Sequence, residues 1–323
     1  MARFLLACLL AIYFIPSNAA QDDPWLVLQK AAQAARELSY KGVFVYQAGG
    51  NVKAVQITHM NFGQGEYARM VVLDGSPREV LRQGNDVVIF NPKNEKVVIE
   101  KRTGQNMFPA LLPSNLENIK LSYQVRTLGT ERVAGRDGQI VLLEPKDKYR
   151  YAYKFWADKE YGLLLKAMST NERNEVMEQI TFSQLNLMET HDMDWFHPQV
   201  DHAKPYVMEQ EATPVSAGDA MSLAQQSLAM DQLPLGYKNI DKVVRMVPGK
   251  QFPVMQLVYS DGLASVSLFI EPLAKGVPAK MGHSVMGPTN FFATVIDGHQ
   301  VIAVGEVPEA TVTQFAGAVS FKK

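Results

Sequence analysis

Two hydrophobic periods divide the chain. From residue 24 to about 38, apolar residues recur at helical spacing, with Trp25, Leu28, Ala32 and Ala35 on one face. Asp22-Asp23-Pro24 precedes them, and carboxylates ahead of a proline favour a helix start. From residue 39 to about 187 the pattern becomes one of repeated strands. Runs at 40–47, 53–60, 66–74, 78–83, 86–91 and 96–102 are separated by turn-forming clusters such as Gly49-Gly50-Asn51 and Asp74-Gly75-Ser76-Pro77. A second series occupies 122–134, 138–146, 150–158, 163–170 and 178–185. The links are too short for parallel crossovers, so the pattern predicts antiparallel meanders.

A sheet wet on one face alternates apolar and polar residues. The segments GVFVY, DVVIF, KVVI, IVLL and GLLL are instead apolar at successive positions, so both faces of these strands are partly buried. One face can cover the N-terminal helix. A strongly curved sheet or open barrel lined with apolar side chains would account for the other, and so would a plain β-sandwich. Between the two series, residues 104–115 combine prolines with Met107, Phe108, Leu111 and Leu112. This is an apolar loop, either a packed cover or a lid at a cavity mouth.

Residues 188–214 are rich in His, Asp, Gln and Pro, lack periodicity and suggest a linker. A helix over 216–232, capped by Ser216, follows. Strands are predicted near 237–247, 254–260, 263–271, 290–296 and 300–305, with Asp261-Gly262 and Asp297-Gly298 as hairpin turns. A helix near 309–318 and a short last strand complete a smaller α+β domain. The expected division is therefore a signal peptide at 1–19, a large β domain at 20–187, a linker at 188–214 and a small domain at 215–323.

The N-terminus supports the first of these segments. Arg3 precedes an apolar run of 12 residues from Phe4, then Pro16 and Ser17-Asn18-Ala19. These are the parts of a secretory signal cut after Ala19, and the run is too short for a bilayer, which needs about 20 residues. Cys8 is the one cysteine, and a lipid attached there would leave too short a signal before it. The mature chain would then lack thiols and disulfides. Over all 323 residues, 47% are hydrophobic and 20% charged, as in a soluble globular protein, and the net charge of −1 argues against nucleic acid as a partner.

Chemistry is sparse. His191, His197 and His202 stand among Glu189, Asp192, Asp194 and Asp201, but their irregular spacing in a linker suits solvation better than a metal. No nucleophile elbow, zinc-protease, P-loop or dinucleotide motif is present, so no enzyme, metal or cofactor is expected. Met107, Met168, Met177 and Met188 are either core filling or an adaptable apolar surface.

Several segments carry a resemblance: LDGSPREVLRQGNDVVIFNP from Leu73, FWADKEYGLLLKAMSTNERNEVMEQITFSQL from Phe155, LPLGY from Leu233, VYSDGLASVSLFIE from Val258, and GPTNFFATVIDGHQVIAVGEVPEATV from Gly287. In order along essentially the whole mature chain, they resemble the RseB/MucB family of periplasmic regulators of the sigma-E-type envelope stress response. The resemblance implies an α+β protein: a large N-terminal half-open antiparallel β-barrel wrapping helices, like the lipoprotein carriers LolA and LolB, and a smaller C-terminal α+β domain. It also implies periplasmic localisation. The implied partner is the periplasmic domain of a membrane-spanning RseA/MucA-like anti-sigma factor, shielded from site-1 proteolysis until a lipid or lipopolysaccharide-type amphiphile releases it. A lipid or lipoprotein carrier is the alternative function, and a homo-oligomer stays open.

On the doubly apolar strands and the apolar loop, the cavity candidates are Phe44, Tyr46, Val88, Phe90, Met107, Phe108, Leu111, Leu112, Phe155, Leu164 and Met168. The docking candidates are Arg78 and Glu79 in the large domain, and Tyr259, Asp261 and Phe291 in the small one.

Overall fold

The computed structural model describes residues 23–62, 65–84, 86–91, 96–101, 107–188, 192–197, 207–210, 213–214, 227–246, 252–274 and 276–322. Helix α1 (Pro24–Glu37) opens with the Asp23 carboxylate accepting the Trp25 N–H at 3.0 Å and Pro24 in the first turn. Its buried stripe is Leu28, Ala31, Ala32, Ala34 and Ala35, and the small alanines let the helix lie close to the sheet.

Among the described residues that sheet has twelve strands. The first meander is β1 (Tyr40–Ala48), β2 (Asn51–Phe62), β3 (Gly65–Val72), β4 (Glu79–Gln83), β5 (Asp86–Asn91) and β6 (Lys96–Lys101). The chain then crosses through the apolar loop and α2 (Glu117–Ser122) to the far side. A second meander returns as β7 (Tyr123–Val133), β8 (Arg136–Pro145), β9 (Ala152–Asp158), β10 (Leu164–Thr170) and β11 (Val176–Leu187), which pairs with β1. All these pairings are antiparallel. One core draws on α1, the apolar loop and strands from both meanders, so the sheet curves around it as a half-open barrel.

The doubly apolar strands have a second cause besides curvature. Phe155 points into the main core, while its neighbour Trp156 packs on the outer face with Val133 and Leu165. The Trp156 Nε1–H donates to Glu131 at 2.7 Å, and the Lys166 ammonium lies over the indole.

Within the expected linker, residues 207–210 form β12 (Val207–Gln210), which pairs parallel with β6 at the sheet edge. Phe196 stacks edge-on against Tyr67. The expected helix at 216–232 needs correction. Residues 215–226 lie outside the described residues, and Ser227–Met230 is a strand, β14, paired with the C-terminal strand. The rest of the small domain is β13 (Thr213–Pro214), β15 (Lys238–Met246), β16 (Val254–Ser260), β17 (Ser265–Pro272), β18 (Gly282–Met286), β19 (Thr289–Ile296), β20 (His299–Gly305), α3 (Glu309–Gly317) and β21 (Val319–Lys322). Seven strands make a sheet ordered β13-β15-β16-β17-β20-β19-β18. Val312, Phe315 and Ala316 of α3 seal a core with Val266, Leu268, Val301 and Ala303.

Candidate functional site

The two domains meet over the concave side of the large sheet. Among the described residues, two turns of the small domain make the centre of the contact. The first is Asp261-Gly262-Leu263, at the tip of the β16–β17 hairpin. Leu263 packs against the large-domain core. Gly262 has φ +106, and a Cβ there would press on Pro113 and Ile119 at 3.2 and 3.3 Å. The Asp261 carbonyl accepts from Asn118 Nδ2 at 2.9 Å. The second turn is Leu235-Gly236-Tyr237. The Leu235 carbonyl accepts from the Ser122 hydroxyl at 3.0 Å, and the Gly236 carbonyl from Asn118 at 2.5 Å.

Arg150 joins both turns from the large domain. Its side chain has no exposed surface, and its guanidinium donates to the Asp261 and Asp147 carboxylates and to the Leu235 carbonyl. The Tyr237 ring lies 4.5 Å from its centre. Burial works against the charge, but Asp261, with Tyr237 and Asp147 behind it, holds the guanidinium above its usual pKa. Burial first and Asp261 second push the Tyr237 hydroxyl well above its ordinary value. Further along, the Tyr149 carbonyl accepts from the hydroxyls of Thr311, at 2.9 Å, and Tyr237, at 3.3 Å. Asn290 donates to the Tyr151 hydroxyl at 3.3 Å and to the Val307 carbonyl at 2.8 Å.

Beside this lock the domains leave a cavity of about 440 Å³. That volume lies within the range of small-molecule pockets, roughly 300–1,000 Å³. Leu111, Tyr153, Phe155, Met168, Met177, Glu178 and Ile180 line it from the large domain. Leu263, Ala264, Pro288, Glu306 and four serines or threonines near them line it from the small domain. The wall is therefore mixed: aromatic and thioether surface below, hydroxyls above, and one carboxylate from each side. Burial, then the Glu306 carboxylate, pushes the Glu178 carboxyl up to about 7. Burial raises Glu306 as well. Burial and the two carboxylates raise Tyr46, whose hydroxyl bonds Glu178.

Of the cavity candidates, Leu111, Phe155 and Met168 line this space, and Tyr46 reaches it through Glu178. Phe44, Phe108, Leu112 and Leu164 are buried in the core below, with Met107 packed at its edge. The Phe108 ring lies 5.3 Å from Phe44 and 5.0 Å from Phe182, and the Leu112 carbonyl accepts from Arg36 at 2.8 Å. The described part of the apolar loop thus packs as a cover between α1 and the sheet. Val88 and Phe90 fall elsewhere. They alternate with buried Val87 and Ile89, and Ile89 is registered with Val80 and Met70 on the core side. Val88 shares the opposite face with Leu81 and Arg69.

Three docking candidates need correction because they do not reach the surface. Glu79 is buried against Arg69 at 3.0 Å, Tyr259 packs at a tilt against Phe315 in the small-domain core, and Asp261 takes the buried Arg150. Arg78 is exposed and Phe291 half-exposed. Sequence reasoning missed Arg150, Asn118, Glu178 and Glu306. Arg150, Asn118 and Glu178 lie in polar stretches and Glu306 in an apolar one, and the groups they meet across the junction are distant in the chain.

Comparison with known proteins follows the same two-domain division. Residues 23–200 match the MucB/RseB N-terminal domain and residues 222–320 the MucB/RseB C-terminal domain. The sigma factor AlgU regulatory protein MucB of Pseudomonas aeruginosa is 30% identical over 319 residues, 97% of this chain and 95% of that protein. The sigma-E factor regulatory protein RseB of Escherichia coli is 22% identical over 312 residues, 96% of this chain and 95% of that protein. The crystal structure of MucB in complex with MucA(peri) superposes with a TM-score of 0.73 at 26% identity, covering 93% of this chain and 100% of that one. A structure of MucB alone gives 0.65 at 25% identity, covering 94% and 99%. With both domains matched in order over nearly its whole length, the chain belongs to the MucB/RseB family.

Proposed function

We propose that this chain is a periplasmic regulator that binds the periplasmic domain of a membrane-spanning anti-sigma factor. Bound there, it shields the anti-sigma factor from site-1 proteolysis and keeps a sigma-E-type factor inactive. Residues 1–19 act as the export signal, residues 20–187 and 215–323 as the two domains, and 188–214 as the connection, which adds β12 to the large sheet and β13 to the small one. The observation that carries the reading is the full-length match, in sequence and fold, to a protein whose structure includes MucA(peri). The absence of a catalytic motif in the sequence supports binding rather than bond breaking.

The signal for release is a lipid or lipidated envelope molecule whose acyl part enters the junction cavity. Each methylene buried there contributes about 0.8 kcal/mol. Release follows only if lipid prefers a domain arrangement that holds the partner poorly, because a ligand shifts only what it distinguishes. The interlocked turns at Asp261 and Leu235 favour this regulator over a simple carrier, since cargo transfer alone gives no use for a second domain clamped over the concave face.

Purified anti-sigma periplasmic domain should be cut by the site-1 protease when alone and spared when this protein is added. Lipid should restore cutting. Equal cutting with and without the protein would rule the shielding out.

A further inference from the structure

The junction is asymmetric in charge. At one end Arg150 is matched by Asp261 and Asp147, an arrangement with attraction on every side. At the cavity end two carboxylates approach from opposite domains: Glu178, near the start of β11, and Glu306, just past the end of β20.

The sheet register shows why Glu178 faces inward. It is paired across the strands with Ala48 of β1 and Ser169 of β10, and Ser169 is paired with Tyr153 of β9. All four side chains therefore stand on one face, which is the cavity floor. The groups facing Glu178 can be named element by element. Tyr46 comes from β1, with Lys53 of β2 registered beside it but exposed. Tyr151 and Tyr153 come from the β9 side, and β10 brings the neutral Ser169. From the small domain comes Glu306. His283 of β18 is turned to Asn290 at 2.8 Å and to Glu309 at 3.7 Å.

We propose that the Glu178–Glu306 pair makes the docking of the two domains proton-dependent, closing the cavity mouth in mild acid and loosening it toward neutral pH, while the Arg150 lock acts as the pivot. Two charged carboxylates across a closing interface repel and lose water, whereas a protonated one donates a hydrogen bond and loses little. The sign follows from linkage. In the docked form burial first and Glu306 second hold the Glu178 carboxyl at about 7, up from its ordinary 4.5, and parting the domains removes Glu306 and the share of burial that the small domain supplies. The docked form therefore holds more protons between those limits. Its stability is full below the lower limit, falls as pH rises through the window, and levels off above it. This device goes beyond the proposed partner and lipid, and it stands or falls without them.

The test is hydrogen exchange on the mature protein from pH 5 to 8. Protection factors, which divide out the intrinsic pH dependence of exchange, are read for the junction turn at residues 261–264 and for β20 inside the small domain. The amides of Leu263 and Ala264 bond Asp261 within the turn, and the turn is buried against the large domain, so water reaches them when the domains part. Protection of the turn should fall at least about tenfold across this range, while β20 stays constant. Glu178→Gln and Glu306→Gln, each nearly isosteric, should each reduce the fall, since either leaves a single carboxylate raised by burial alone. His283→Asn should leave it as it is. A flat profile in the parent protein overturns the proposal. So does a profile that both glutamine variants leave unchanged, one that vanishes with His283→Asn, or an equal fall in β20.

Discussion

Replacing Arg150 by methionine would keep most of the side-chain volume and remove the guanidinium that joins the domains. Asp261, fully buried, would lose the partner of one carboxylate oxygen. Its other oxygen would keep the N–H groups of Leu263 and Ala264 at 2.9 and 2.8 Å. Asp147 is partly exposed and could turn to water. The Leu235 carbonyl would keep the Ser122 hydroxyl. Removing one member of a buried ion pair costs roughly 3–5 kcal/mol. These remaining bonds place Arg150→Met at the low end, about 3 kcal/mol, or roughly 150-fold in the ratio of docked to undocked forms. Exchange protection at residues 261–264, with β20 as the internal reference, measures that ratio. Arg150→Lys should fall between, since an ammonium keeps the charge but not the planar fork. The double variant Arg150→Met/Asp261→Asn should recover part of the loss. If Arg150→Met stays within about threefold of the parent protein, the lock is not what holds the domains, and the reasoning fails.

Gly262→Ala should loosen the same junction by roughly 1–3 kcal/mol, because it adds a Cβ at φ +106 against Pro113 and Ile119; thermal melting and scattering would register it, and an unchanged radius of gyration and melting point would refute it. Phe108→Ala should cost about 3–5 kcal/mol in urea unfolding, since its ring fills the space between Phe44 and Phe182. Leu111→Asp should abolish binding of a fluorescent fatty acid while Phe90→Asp leaves it intact, because only Leu111 lines the cavity; equal effects of the two would place the lipid elsewhere.

The strands were legible because each run of β-formers ends in a turn cluster. Asp86–Asn91 and Val254–Ser260 form strands with the limits read from the sequence. Face assignment was harder. Val88 and Phe90 look equivalent to Val87 and Ile89 in sequence, and only the register through β4 separates them. Ser227–Met230 sits in an alanine-rich run that suits a helix, yet pairing with β21 overrides that preference. Strand β18 is exposed at every position, so no alternation announces it. The junction was the least legible part. Asp261-Gly262 was recognisable as a hairpin turn, but the arginine that seats it lies 111 residues away. Glu178 looked like an ordinary polar residue near a strand start, and its character comes from burial and from the Glu306 carboxylate of the opposite domain.

The most direct test of the account is calorimetric titration of the protein, from Ala20 onward, with the purified periplasmic domain of its cognate anti-sigma factor, repeated with envelope lipid present. The account predicts saturable binding that lipid weakens. Saturable binding indifferent to lipid would contradict the release mechanism, and no binding by a folded protein would contradict the account as a whole.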